Sequence, residues 1–150
     1  NYDSTIARAN IYFDYADKYN FDKNLTQHIY GISGESKYML ANFDEAILDI
    51  NKAIELDSLD PSSYKVLGDC YLYKNSFESA IKKYTKAIRL NANYYQAYLG
   101  RAKCYEKLNT SDFLVSAEQD YQSAFKIKPE VEDIYNTNSN LFKQLKQVIK

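Results

Sequence analysis

A step of 34 residues recurs along the chain and joins residues of the same type. The two Cys-Tyr pairs, at Cys70 and Cys104, are 34 residues apart. Other small and apolar positions keep the same step: Tyr30, Tyr64 and Tyr98; Gly34, Gly68 and Ala102; Phe43 and Phe77; Ala46 and Ala80; Ala53 and Ala87; Leu56 and Leu90. A third unit keeps this register if three extra residues lie near 109–116. The step predicts repeats at 27–60, 61–94 and 95–131.

Each repeat contains two apolar patterns of helical period separated by a polar break. In the middle repeat the first pattern is Tyr64, Leu67, Gly68, Tyr71 and Leu72, and the second is Phe77, Ala80, Ile81, Tyr84, Ala87 and Ile88. With only 4 Gly and 2 Pro in 150 residues, the chain has few turn residues, which favours long helices. We therefore predict an all-α fold of repeated helix–turn–helix units.

The pattern of the middle repeat resembles the tetratricopeptide repeat. Tyr64 takes the place of the family's Trp, Leu67-Gly68 and Tyr71 match, and so do Ala80, Tyr84 and Ala87. The resemblance covers 27–131, with Lys37 in place of the Tyr of the first repeat and a closing Pro only at Pro129. It implies a right-handed superhelical solenoid.

The segments on either side of the repeats also have helical patterns. Residues 1–26 are interpreted as an N-terminal helix or partial repeat, since Ala9, Phe13 and Ala16 have the spacing of Ala80, Tyr84 and Ala87. An apolar stripe in 130–150 predicts a capping helix, which solenoids use to cover their last apolar face. The whole of 1–150 is then one domain.

Catalytic, metal and redox sites find little support in the sequence. Cys70 and Cys104 hold equivalent places in neighbouring repeats, so packed helices would separate them by ~8–10 Å, whereas a disulfide needs Cα atoms within ~7 Å. We expect both to be buried thiols. His28 is the sole histidine, which leaves too few ligands for a Cys/His zinc site. Phosphate-binding glycine motifs are absent. We predict no catalytic residue, metal or cofactor, and a protein that is not an enzyme.

Charge and hydropathy limit the kinds of partner. A formal net charge of −1 lacks the basic footprint of a nucleic-acid binder. No apolar stretch reaches the ~20 residues that a membrane helix needs. The expectation is a soluble chain that is not inserted in a membrane. Its compartment stays open, with the cytoplasm favoured, because a targeting segment upstream of Asn1 is compatible with this sequence.

In the family, the first helices of successive repeats line a concave groove that holds a peptide. The positions implied here are Glu35, Tyr38, Lys65, Asp69, Tyr73, Gln96, Leu99, Lys103 and Glu106. A known clamp of Lys, Asn and Arg grips the C-terminal carboxylate of chaperones, but its positions here hold Gly31, Glu35, Val66, Gln96 and Gly100. The resemblance therefore argues against a chaperone-tail clamp.

The leading hypothesis is a non-catalytic scaffold that binds a peptide or protein segment in this groove. Lys65 and Lys103 are expected on the groove surface, where they would meet an acidic group of a ligand or instead pair with Asp69. One alternative is a docking arm of a larger enzyme or transport machine whose active part lies outside 1–150. Another is a module for homo-oligomerisation. The partner's identity stays open.

Overall fold

A computed structural model describes residues 1–19 and 21–132, and within them every regular element is an α-helix. Seven helices lie wholly within this part of the chain: α1 (Tyr2–Tyr19), α2 (Lys23–Met39), α3 (Phe43–Leu56), α4 (Pro61–Tyr73), α5 (Phe77–Leu90), α6 (Tyr95–Leu108) and α7 (Ser111–Ile127). Residues 130–132 are helical as well. Each helix packs against the next, and α4 also contacts α2 and α6. The predicted all-α repeat fold is confirmed. None of these helices has the length and apolar character to cross a membrane.

The core continues from one helix pair to the next. One cluster joins α3 to α4 through Ala46, Ile50, Val66, Leu67 and Cys70. The next joins α5 to α6 through Ala80, Tyr84, Ala87, Ala97 and Cys104, whereas the last lies within the third pair and joins α6 to α7 through Ala102, Ala117, Tyr121, Ala124 and Phe125. Each pair of helices therefore buries its apolar face against its neighbours, as a solenoid requires.

Glycines stand where two helices approach most closely. A Cβ atom on Gly68 would lie 2.6 Å from the Tyr84 ring, and one on Gly100 would lie 2.4 Å from it. Tyr84 is fully buried, so its ring fills the space between α4 and α6 that the two glycines leave open. In the preceding pair, Gly34 makes the same close approach to Ile50.

The turn inside each helix pair uses a left-handed residue, and these residues follow the same repeat step. Ala41, Asn75 and Asn109 have φ angles of 62°, 58° and 51°. Asparagine tolerates this conformation, whereas alanine adopts it at a cost of about 1–2 kcal/mol. The turn is thus imposed by the packing of α2 against α3 even where the local residue opposes it.

Helix boundaries differ in places from the predicted repeat limits. The helix α2 begins at Lys23, upstream of the predicted start at 27. In α1, Ala9 and Ala16 are buried, and Phe13 stacks on Tyr30 with 4.1 Å between ring centroids. Apart from 130–132, the predicted capping helix at 130–150 lies outside the described residues.

Both cysteines are buried, as predicted, and neither is in a disulfide. Burial, followed by the nearby charge of Asp69, raises the pKa of each thiol to about 12. At pH 8 the folded protein should therefore contain almost no thiolate, which is the reactive form. We expect Ellman's reagent to label the native protein far more slowly than the urea-unfolded protein. Rapid labelling of two thiols under native conditions would contradict this burial.

Candidate functional site

The first helices of the three pairs, α2, α4 and α6, lie side by side and present one surface. This surface carries the groove positions that the family resemblance implies. Glu35, Tyr73 and Lys103 are exposed there. Others are partly buried, namely Tyr38, Lys65, Gln96, Leu99 and Glu106, and Asp69 is buried. The predicted set therefore divides into accessible side chains and side chains that also hold the fold together.

Aromatic side chains meet where α2 and α4 end. The ring centroids of Tyr38 and Tyr73 are 5.9 Å apart, and Phe43 stacks on Tyr73 at 5.4 Å. Tyr38 is partly buried, and this burial, followed by the charge of Asp69, raises its pKa. Tyr73, in contrast, is 62% exposed to solvent. Tyr73 thus packs against two aromatic rings and still exposes its own apolar ring and hydroxyl to solvent.

Asp69 is held inside the protein by two partners. Lys65 Nζ lies 2.7 Å from Oδ2, and the Tyr84 hydroxyl donates to Oδ1 at 2.6 Å. Burial acts to lower the pKa of Lys65, but the Asp69 carboxylate outweighs it and raises that pKa. Asp69 is therefore a structural acceptor that links α4 to α5.

This arrangement changes the interpretation of the two lysines that the sequence places together on the groove surface. The Lys65 side chain is only 24% exposed and is paired with Asp69. Lys103 is exposed and forms no ion pair with a described residue. The expected pairing with Asp69 is thus present for Lys65 alone, because Lys65 lies one helical turn before Asp69 on the same helix. Of the two lysines, Lys103 is the one available to a ligand.

On α6 the other groove residues are less exposed to solvent than the family resemblance implied. Leu99 packs against the cluster that joins α6 to α7, so part of its side chain belongs to the core. Gln96 and Glu106 are half-buried. The accessible chemistry of this part of the surface comes mainly from Lys103.

A cleft of about 350 Å³ lies between α2 and α4. Glu35 is the predicted groove residue that lines it, together with His28, Gly31, Asp57 and Asp60. Asp60 caps α4 by accepting hydrogen bonds from the backbone N–H groups of Ser62 and Ser63. Asp57 follows the end of α3 and Asp60 precedes α4, and the packing of the helices places both beside Glu35. The part of the chain that the structure describes has no group of three or more His, Cys, Asp or Glu suited to a metal ion.

Two polar networks inside the helix pairs were not foreseen. In the first, Asp49 accepts a hydrogen bond from Ser33 at 2.6 Å and pairs with Lys37 at 2.8 Å. In the second, Arg101 binds both oxygens of Asp120 at 2.7 Å. In the sequence, the first network was indicated only by Lys37 in place of the Tyr of the family pattern. The sequence alone did not indicate that Asp49 is the partner of Lys37.

Similarity to known proteins agrees with this geometry. A family model described as a TPR repeat matches residues 68–109. The chain is also 31% identical over 104 residues to anaphase-promoting complex subunit 3 of Schizosaccharomyces pombe, a match that covers 65% of this chain and 15% of that protein. The chain therefore resembles the tetratricopeptide-repeat (TPR) family, whose model matches residues 68–109. It spans 10–15% of the length of the curated relatives it matches.

Solved structures share the fold of this chain. The first TPR of Spaghetti (RPAP3), bound to the HSP90 peptide SRMEEVD, superposes with a TM-score of 0.69 at 21% identity, covering 82% of this chain and 92% of that one. The crystal structure of MamA superposes with a TM-score of 0.66 at 20% identity, covering 89% and 81%. At this identity the likeness establishes the repeat-solenoid architecture.

Proposed function

We propose that this TPR protein is a non-catalytic interaction module that binds a protein segment along the surface of α2, α4 and α6. The observation that carries the proposal is the continuous surface on which Glu35, Tyr73 and Lys103 are exposed beside a 350 Å³ cleft. Such a surface combines an aromatic anchor with charges of both signs, which suits a peptide that carries apolar and charged side chains. The TPR fold and the peptide bound to a solved TPR neighbour support this class of ligand.

The charges of the groove argue for a ligand other than the acidic tail held by that neighbour. The cleft side of the surface carries Glu35, Asp57 and Asp60, and the positions of the chaperone-tail clamp hold no Lys, Asn or Arg. An acidic C-terminus would meet like charges there. We infer a ligand with a basic or hydrogen-bond-donating group toward α2 and an acidic group toward Lys103.

A second candidate is that the module docks a larger assembly. The curated relatives it matches include a protein named as a subunit of the anaphase-promoting complex, and this chain corresponds to a small part of it. In this case the ligand of the groove is a segment of another subunit, and any activity belongs to other parts of the assembly.

The test begins with peptides selected on immobilised 1–150 from a displayed peptide library. Their affinities are then measured by isothermal titration for the wild type and for Tyr73→Ser/Lys103→Glu, which changes two exposed groove residues. Loss of an aromatic contact and reversal of a charge should weaken binding by ~1–3 kcal/mol, about 5- to 150-fold. Lys65 is left unchanged because it holds Asp69.

The matched control is Tyr2→Ser/Lys107→Glu, which makes the same chemical changes at exposed positions outside the groove. Both variants should keep the wild-type circular dichroism spectrum and nearly the wild-type melting temperature. Equal affinity of the groove variant and the wild type for every selected peptide would remove the groove from the proposal.

A further inference from the structure

A second pocket lies away from the groove, between α4 and α5. It has a volume of about 300 Å³ and is lined by Tyr64, Tyr71, Ser79, Lys82, Lys83 and Lys86. Successive residues of a helix are separated by about 100° of rotation, so Tyr64 and Tyr71 lie about 100–160° around α4 from Lys65 and Asp69 and face a different side. The pocket shares no lining residue with the proposed groove.

Three lysines within five residues of α5 line this pocket. Lys82, Lys83 and Lys86 form no ion pair with any residue that the structure describes. Lys86 Nζ lies 5.7 Å from the centre of the Tyr64 ring, which holds this ammonium at the pocket wall. The pocket therefore concentrates positive charge beside aromatic surface.

The neighbouring repeats show that this charge is a departure from the rest of the array. At the repeat position of Lys83, the first and third repeats carry Asp49 and Asp120. Those carboxylates are neutralised inside the protein by Lys37 and Arg101. In the middle repeat the carboxylate is replaced by a lysine, so the internal ion pair is missing and positive charge faces the pocket instead.

We propose that this pocket binds an acidic segment of a partner protein, with Asp or Glu carboxylates at Lys82, Lys83 and Lys86 and an apolar side chain against Tyr64 and Tyr71. Residues three and four apart on a helix lie about 5–6 Å from each other, so the three lysines can meet carboxylates on nearby residues of one peptide. The two tyrosine rings supply the apolar contact that a bare lysine cluster lacks.

A polyanionic surface fits the pocket less well than a short acidic segment. Nucleic acids and anionic membranes bind through charge spread over many contacts, whereas this chain has a formal net charge of −1. The pocket holds three lysines beside two aromatic rings. A few carboxylates and one apolar side chain match it in size.

The experiment measures fluorescence anisotropy of a fluorescein-labelled Glu-rich peptide with a central leucine, titrated with the 1–150 protein. We expect saturable binding that weakens as NaCl is raised, since exposed charge contacts are screened by salt. The variant Lys82→Gln/Lys83→Gln/Lys86→Gln should bind the peptide about 10-fold more weakly, because three charge contacts are lost. The same peptide with Gln in place of Glu should not bind.

The control variant is Lys23→Gln/Lys107→Gln/Lys126→Gln, which removes the same charge at exposed lysines outside the pocket and should bind like the wild type. The groove variant Tyr73→Ser/Lys103→Glu should also bind like the wild type, which separates this proposal from that of the groove. Equal loss in the pocket and control variants would overturn the proposal. So would absence of binding by the wild type, or tighter lysine-dependent binding of a single-stranded oligonucleotide or of anionic vesicles.

Discussion

Replacing Tyr84 by alanine is expected to lower the free energy of unfolding by about 3–5 kcal/mol, the largest effect of any single substitution considered for this protein. The Tyr84 ring is fully buried between Gly68 and Gly100, and its hydroxyl donates to Asp69. Removing the ring leaves a cavity where α4, α5 and α6 meet, and the adjacent glycines have no side chains with which to fill it. Urea denaturation followed by circular dichroism measures the change.

Tyr84→Phe is the matched variant for the hydroxyl. It keeps the ring but removes the donor to the buried Asp69 carboxylate, so we expect a smaller loss of about 1.5–3 kcal/mol. Lys65 still neutralises Asp69 in this variant. If Tyr84→Ala stays within about 1 kcal/mol of the wild type, Tyr84 does not hold the three helices together.

Asp120→Ala should lower the free energy of unfolding by about 2–4 kcal/mol, since it leaves the Arg101 guanidinium without its carboxylate. The side chains of Arg101 and Asp120 are only 17% and 7% exposed. Two hydrogen bonds of 2.7 Å join them across α6 and α7. The double variant Arg101→Met/Asp120→Leu should recover part of the loss in urea denaturation, because it removes the charge together with its partner.

Asp44→Ala is the control for this ion pair. Asp44 of α3 binds Lys74 at the end of α4, but the Asp44 side chain is 83% exposed. An exposed pair contributes about 0–1 kcal/mol, so this variant should unfold almost like the wild type. Equal destabilisation by Asp44→Ala and Asp120→Ala would show that burial does not set the contribution of these pairs.

The spacing of small and apolar residues was sufficient to predict the repeated helix pairs. A repeated unit that cannot bury its own apolar face must stack on its neighbours, so the step shared by Gly68, Ala80 and Cys70 with other repeats indicates both the helices and their packing. The same argument predicted the burial of Cys70 and Cys104. The turn residues Ala41, Asn75 and Asn109 also follow this step, but Ala41 lacks the local preference that would have identified them.

The distribution of charge within the site depended on contacts between helices. The family resemblance implied that Lys65 and Lys103, on adjacent first helices, both lie on the groove surface, yet the structure buries most of Lys65 against Asp69 and leaves Lys103 exposed. It also shows that Tyr84, from the following helix, binds the second oxygen of Asp69. Spacing along one helix specifies which face a residue occupies, but not which side chain meets it from another helix.

The difference in charge pairing between the repeats also depends on contacts between helices. From the sequence alone, Asp49, Lys83 and Asp120 are charged residues at one repeat position. Only the tertiary structure shows that Lys37 and Arg101 neutralise the two carboxylates, while Lys83 lines a pocket with two other lysines. The period of the apolar residues determines a solenoid because burial depends on the position of a residue within the repeat. The pairing of charges depends instead on distances of a few ångströms between side chains, and only the packing of the helices sets these distances.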